Sequence, residues 1–182
     1  KKQKAGRRLG QPLKNDEIRP LEFLAPPKGL DGSSGTNRGD RQDCALNVNT
    51  DIEAIRLWLK AKGTNANTQA AYRREAERFL LWCLLEKRVA LSSARLDECA
   101  DYLKWLEMIG RETPENWQKS WIYPQETWIG PKNTPRESPD WNPFNSSLAS
   151  TSRKAASTII RQLFSFLHKT GYLKFNPFDQ IP

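Results

Sequence analysis

Thr68-Gln69-Ala70-Ala71-Tyr72-Arg73-Arg74-Glu75-Ala76-Glu77-Arg78-Phe79-Leu80-Leu81-Trp82-Cys83-Leu84-Leu85-Glu86-Lys87 is the stretch on which the fold turns. Within it Tyr72, Ala76, Phe79, Leu80, Cys83 and Leu84 recur three and four positions apart, the spacing that gathers side chains on one face of an α-helix. Gln69, Arg73, Arg74, Glu77 and Arg78 fall on the opposite side. The stretch therefore reads as an amphipathic helix from about Thr68 to Lys87, capped by Asn67, with its stripe on a core and its charged side in water.

The same period appears three more times. Thr50-Asp51-Ile52-Glu53 has the capping-box form and opens a helix at Asn49 or Thr50 that carries Ile52, Ile55, Trp58 and Leu59 to a stop at Gly63. A third helix is predicted from Ser93 or Leu96 to Met108, burying Leu96, Cys99, Leu103 and Leu106 and ending at Gly110. The last opens at Ser150-Thr151-Ser152 and runs to Lys169, turning Ala156, Ile159, Ile160, Leu163, Phe166 and Leu167 inward before Gly171. Residues 172–178 then leave as extended chain, because Asn176 precedes a proline and avoids the helical region. No useful length alternates at period two, so the predicted class is all-α, a small four-helix bundle.

Two segments fall outside that pattern. Residues 1–48 are rich in Gly, Pro, Asn and Asp and read as an extended basic arm, which Leu21, Phe23, Leu24 and Leu30 would pin to a core. Residues 110–148 hold six prolines and four tryptophans, Trp117, Trp121, Trp128 and Trp141, with no sustained period. So long a connection is expected to be anchored by burial of its rings against the helices. The helical domain is thereby bounded at 49–182.

The chain has 182 residues, is 37% apolar and carries a net charge of +8. Its basic excess is concentrated at +4 in residues 1–48 and +4 in residues 149–182, against +1 and −1 between them. An anionic partner is implied, nucleic acid before a membrane surface. No apolar run of about 18 residues would cross a bilayer, so a soluble chain without a membrane partner is expected, and three scattered cysteines without a CxxC pair fit a reducing cytoplasm best. The basic opening has no apolar run behind it and is not a secretory signal. It begins at Lys1 rather than Met, from which a piece of a longer protein is expected.

Catalysis finds little support. The single histidine, His168, near a predicted helix end, removes most metal and His-dependent schemes, and Cys44, Cys83 and Cys99 form no CxxC pair. Glu75/Glu77 and Asp97/Glu98/Asp101 lie on amphipathic helices among basic residues and read as solvated faces. Ser146, Ser147, Ser150 and Ser152 have no His–carboxylate partners, and no Gly-rich loop follows a strand. The expectation is no metal, no cofactor and no small-molecule substrate.

Nucleic-acid binding has more behind it. On the last helix Arg153, Ser157 and Arg161 are spaced i, i+4, i+8 beside Lys154, a polar ridge about 12 Å long at ~1.5 Å per residue. Such a ridge suits a helix in a major groove, with Arg on guanine and Ser or Lys on phosphates. The start around Thr151 adds free backbone N–H groups for a phosphate oxygen. Thr68, Gln69, Tyr72, Arg73 and Arg74 form a comparable cluster on the second helix, where Tyr72 reads equally well as core.

These residues also carry a family resemblance. Asn67-Thr68, Tyr72, Phe79 and Trp82 resemble the N-T-x-x-x-Y-x-x-x-x-x-x-F-x-x-W helix of the core-binding, SAM-like domain of phage integrases and other tyrosine recombinases. Ser150 to Arg153, Ile160 to Leu167, Gly171-Tyr172-Leu173 and Asn176-Pro177-Phe178 are similar to that domain's last helix and exit. Arg19-Pro20-Leu21-Glu22 and Trp141-Asn142-Pro143-Phe144 look like features of a bacterial integrase subgroup. The resemblance covers about residues 49–109 and 141–182.

It implies a domain that clamps double-stranded DNA at a recombination site, with Thr68, Tyr72, Arg73, Arg153, Lys154, Ser157 and Arg161 toward the groove. It further implies that the first helix meets other protomers in a synapse. The family's arginines, lysine, H-x-x-R box and tyrosine nucleophile belong to a separate catalytic domain, and His168-Lys169-Thr170-Gly171 is not that box. This chain is thus expected to bind DNA without cutting it, within a parent that breaks and rejoins DNA. The 110–148 insertion is longer than the family's usual connection and, being slightly negative, is expected to be a structural strap, with a protomer contact or an added DNA-facing loop as alternatives; a helical protein-interaction module docking through it stays open as the rival. A stand-alone helix-turn-helix regulator is weaker, lacking the short Gly-containing turn.

Overall fold

The computed structural model describes residues 18–63 and 65–182. The Lys/Arg-rich opening of the predicted arm, residues 1–17, lies outside the described residues. The fold is all-α, with five α-helices among the described residues: α1 (Asp51–Lys62), α2 (Ala66–Trp82), α3 (Leu96–Met108), α4 (Pro114–Ser120) and α5 (Ser150–Lys169). Among the described residues extended pairing is limited to two isolated bridges, Arg38 with Leu173 and Ile129 with Phe144.

Local chemistry explains the ends. Thr50 accepts the Glu53 N–H at 3.3 Å, the Glu53 carboxylate takes the Asn49 N–H at 2.9 Å, and Gly63 ends α1 in the left-handed region. α2 begins two residues earlier than the sequence suggests: Asn65, not Asn67, accepts the Thr68 N–H at 3.0 Å. Its far end runs into a π-helical turn, Cys83–Lys87, closed by Arg88 at φ 56°. α2 packs on both α1 and α5, and α5 also meets α1 and α3.

The core is rich in aromatic rings. Phe79 of α2 meets Tyr102 and Phe164 edge-on at 4.8 and 5.3 Å. Trp105 of α3 stands among Trp128, Phe144, Trp117 and Trp82. The predicted register of α3 is corrected here. Leu96 is 46% exposed, and the buried stripe is Cys99, Tyr102, Trp105 and Leu106, because rings of that size fill the space between α2 and the insertion.

The insertion contains a fifth helix absent from the four-helix expectation. Thr113 caps α4 and Pro114 stands at its first position. Trp117, Trp121, Trp128 and Trp141 are all buried, so the segment is a strap laid on α3. The Trp117 Nε1–H donates to the Tyr123 carbonyl at 2.6 Å.

Residues 18–48 lie on the helices, with Leu21 buried, Leu24 and Leu30 partly so, and Phe23 half exposed against expectation. Phe23 sits on a short turn whose buried side is taken by Leu21. Asn37, itself buried, exchanges two hydrogen bonds with the Phe175 backbone, and Gly39 N donates to the Tyr172 carbonyl at 2.9 Å. The arm and the exit segment thus close on each other.

The solvated-face reading of Glu75, Glu77 and Arg78 is overturned, since all three are buried. Their charges are met partly within α2 and partly from far along the chain. Arg78 donates to Glu75 and to the Pro143 carbonyl, and Glu77 receives the Leu21 N–H and Arg136. Glu86, on the π turn, takes the Ile122 and Tyr123 N–H groups. Buried Asp51 takes the Ser92 N–H and the Tyr172 hydroxyl. Buried charged side chains on the helices therefore hold the arm, the strap and the exit through charge-assisted hydrogen bonds.

Candidate nucleic-acid interface

The first cluster sits where α1 gives way to α2. Thr68 turns back on its own cap, its N–H and hydroxyl both donating to Asn65. Gln69 reaches across to the Leu59 carbonyl at 2.5 Å and so ties α2 to α1. Tyr72, half buried, stacks on Trp58 with centroids 5.1 Å apart and planes 11° from parallel. These three side chains are engaged by the fold itself.

Arg74 is exposed and only loosely held by Glu75, at 3.7 Å. Arg73 is half buried, with its Nε sheltered and unpartnered. It feels the charge of Glu22, whose carboxyl is held below the usual range chiefly by hydrogen bonds from Arg136. Burial pushes the Glu77 carboxyl up, against the pull of the same Arg136. Burial also weakens Arg136's hold on its proton, but bonds to Glu22 and Glu77 more than restore it.

The second cluster sits at the start of α5. Ala149 precedes the helix and offers no side-chain cap, and the first turn contains no acidic residue. Ser150, Thr151 and Ser152 are placed in that turn and Lys154 directly after it, with Thr151, Ser152 and Lys154 exposed. Arg153 Nη1 donates to the Leu148 carbonyl at 2.9 Å, and Arg111, just past the end of α3, donates to the same oxygen at 2.5 Å. Two guanidinium groups thus meet at the positive end of a 20-residue helix. Arg111 is absent from the sequence candidates; its signal is a basic residue directly after the Gly110 stop.

The predicted i, i+4, i+8 ridge divides. Arg153 stays at the helix start, whereas Arg161 is drawn away. It donates Nε to Ser157 at 3.2 Å and its Nη atoms to the carbonyls of Phe178, Ile181 and Pro182, lying over the Phe178 ring. Arg161 fastens the exit segment, and Ser157 supports it. Arg111, Thr151, Arg153 and Lys154 form the basic group at the α5 start; the α2 cluster adds Arg73 and Arg74.

Among the described residues no three His, Cys, Asp or Glu side chains gather to hold a metal, and no helix is long and apolar enough to cross a membrane. Cys83 and Cys99 are free and buried, their thiols pushed up by loss of solvent. No protein-family model, curated protein or solved structure matches this chain.

Proposed function

We propose that this chain is the DNA-clamping core-binding domain of a phage-type tyrosine recombinase, with strand breakage and rejoining supplied by a separate catalytic domain of the parent. The observation that carries the reading is the α5 start. Uncapped amides, two arginines on one carbonyl, exposed Lys154 and Thr151, and no acidic residue in the first turn make a surface suited to phosphate oxygens. Arg73 and Arg74 on α2 are the further basic candidates. The partners that follow from the reading are double-stranded DNA at a recombination site and further protomers in a synapse, in a cytoplasmic setting. Burial of all four tryptophans of the insertion favours this reading over the rival, a partner docked through that segment.

The test is fluorescence anisotropy with labelled duplex DNA across a salt series. Binding should weaken as salt rises, with a log–log slope of about −0.9 for each phosphate that the protein neutralises. Arg153→Ala and Lys154→Ala should each flatten that slope with the thermal melt nearly unchanged. Absence of binding at low salt, or binding indifferent to salt, defeats the proposal.

A further inference from the structure

Arg161 on α5 is a cation whose bonds all go to neutral acceptors. Its Nε donates to the Ser157 hydroxyl at 3.2 Å, and its Nη atoms donate to the carbonyls of Phe178, Ile181 and Pro182 at 3.3, 2.9 and 3.1 Å. The segment it grips has a second anchor. Phe178 is 1% exposed, and its ring packs on Phe164 and Phe79 with centroids 5.0 and 6.1 Å apart. Beyond that ring Asp179, Gln180 and Pro182 are exposed and Ile181 is half buried. Residues 179–182 therefore lean on Arg161 and on one turn bond, from the Ile181 N–H to the Phe178 carbonyl at 3.0 Å, whereas the Phe178 ring stays in the core without either.

Arg161 also shares its helix with the basic group at the α5 start, about 12 Å beyond Arg153 at ~1.5 Å per residue. A phosphate offers a guanidinium a full charge and two oxygens for a forked pairing, which separate carbonyls lack. Moving from carbonyls to phosphate takes rotation of one side chain and leaves Phe178 where it is. We propose that Arg161 changes partners on binding: the exit carbonyls hold it in the free protein, a backbone phosphate of duplex DNA takes it in the complex, and residues 179–182 loosen as a result. DNA on α5 and a fastened tail then oppose each other through one guanidinium. This rests on the DNA-clamp reading and adds to it a link between the ligand and the exit segment.

The test is residue-resolved amide hydrogen exchange by NMR on the full chain, with and without a duplex of mixed sequence, alongside anisotropy with the same duplex labelled. On binding, the Ile181 amide should exchange about three- to tenfold faster, while the Lys174 amide, bonded to the Asn37 carbonyl, keeps its rate. In Arg161→Ala the Ile181 amide should already exchange fast in the free protein and ignore the duplex, and the salt slope should be shallower by about 0.9. Affinity should fall less than in Arg153→Ala, because Arg161 gives up carbonyls to gain the phosphate. A purely structural Arg161 predicts an Ile181 amide that DNA leaves unchanged or protects, and a wild-type salt slope in Arg161→Ala. Either result, with wild type binding normally, overturns the partner change and leaves the clamp standing. Loosening that persists in Arg161→Ala does not run through this side chain and overturns it too. If wild type fails to bind the duplex, the partner change and the clamp fall together.

Discussion

Replacing Arg136 with Met tests whether one strap residue fastens three segments. Arg136→Met keeps an unbranched stem near Trp141, over which the guanidinium lies at 5.5 Å, but leaves Glu77 buried with only the Leu21 N–H. Stranding a buried charge costs about 3–5 kcal/mol. The Arg136 side chain is 26% exposed, so water screens part of that interaction and about 2–4 kcal/mol is expected. For a chain of this size that is a fall in melting temperature of roughly 4–16 °C.

The assay is urea unfolding of wild type, Arg136→Met, Glu77→Gln and the double variant. Glu77→Gln/Arg136→Met should recover at least half of the loss, because no charge is left stranded. The pH dependence follows from the direction of the Glu77 shift. Burial raises its folded value and losing Arg136 raises it further, so the Arg136→Met deficit should shrink as pH falls from the variant's value to the wild type's and be smallest once Glu77 is protonated in both proteins. An Arg136→Met protein within about 0.5 kcal/mol of wild type at neutral pH, or a double variant no more stable than the single, refutes the reasoning.

Three further outcomes are expected. Arg161→Ala should lower stability by about 1–2 kcal/mol through loss of its bonds to the exit carbonyls and reduce DNA affinity less than Arg153→Ala does; an unchanged melt with abolished binding would return Arg161 to the groove. Burial raises the Asp51 carboxyl above its ordinary 3.8, so wild type should gain stability relative to Asp51→Asn as pH falls through the raised folded value toward 3.8, and parallel urea midpoints across that range would count against it. Gly110→Ala should cost more than about 2 kcal/mol, because φ is +79° and a Cβ would lie 2.6 Å from the Ser147 nitrogen; calorimetry showing a wild-type melt would contradict that placement.

How much of the molecule is legible in the sequence depends on whether an interaction is local. Apolar spacing, the Thr50–Glu53 cap and the glycine stops locate α1, α2, α3 and α5 because each is written within a few neighbouring residues. α4 has an equally local signature in Thr113-Pro114, obscured by the surrounding prolines. Leu96 is misplaced when hydrophobicity is weighed above size: Tyr102 and Trp105 fill the space that a leucine cannot. Glu77 and Arg78 look solvated in the sequence because their partners Leu21, Arg136 and Pro143 lie 56 to 65 residues away, and Glu75 is buried along with Arg78. Arg153 keeps its predicted place at a helix start, whereas Arg161 is claimed by carbonyls no spacing rule could anticipate. Arg111 joins the candidate surface only because the chain returns to Leu148.

The closure of the arm on the exit also sets an order of events during synthesis. Asn37 completes its two bonds to the Phe175 backbone across 138 residues, and Asp51 waits 121 residues for the Tyr172 hydroxyl. At roughly 5–20 residues per second, Asn37 is made some 7–28 s before its partner. Over that interval the emerging chain carries an aspartate and an asparagine destined for the interior with no partner yet translated. Helices α1 and α2 can coil early, but their packing must stay open to water until the ribosome has passed Phe178. A pause or truncation upstream of that point would leave an intermediate with exposed aromatic surface, the kind of species that chaperones retain.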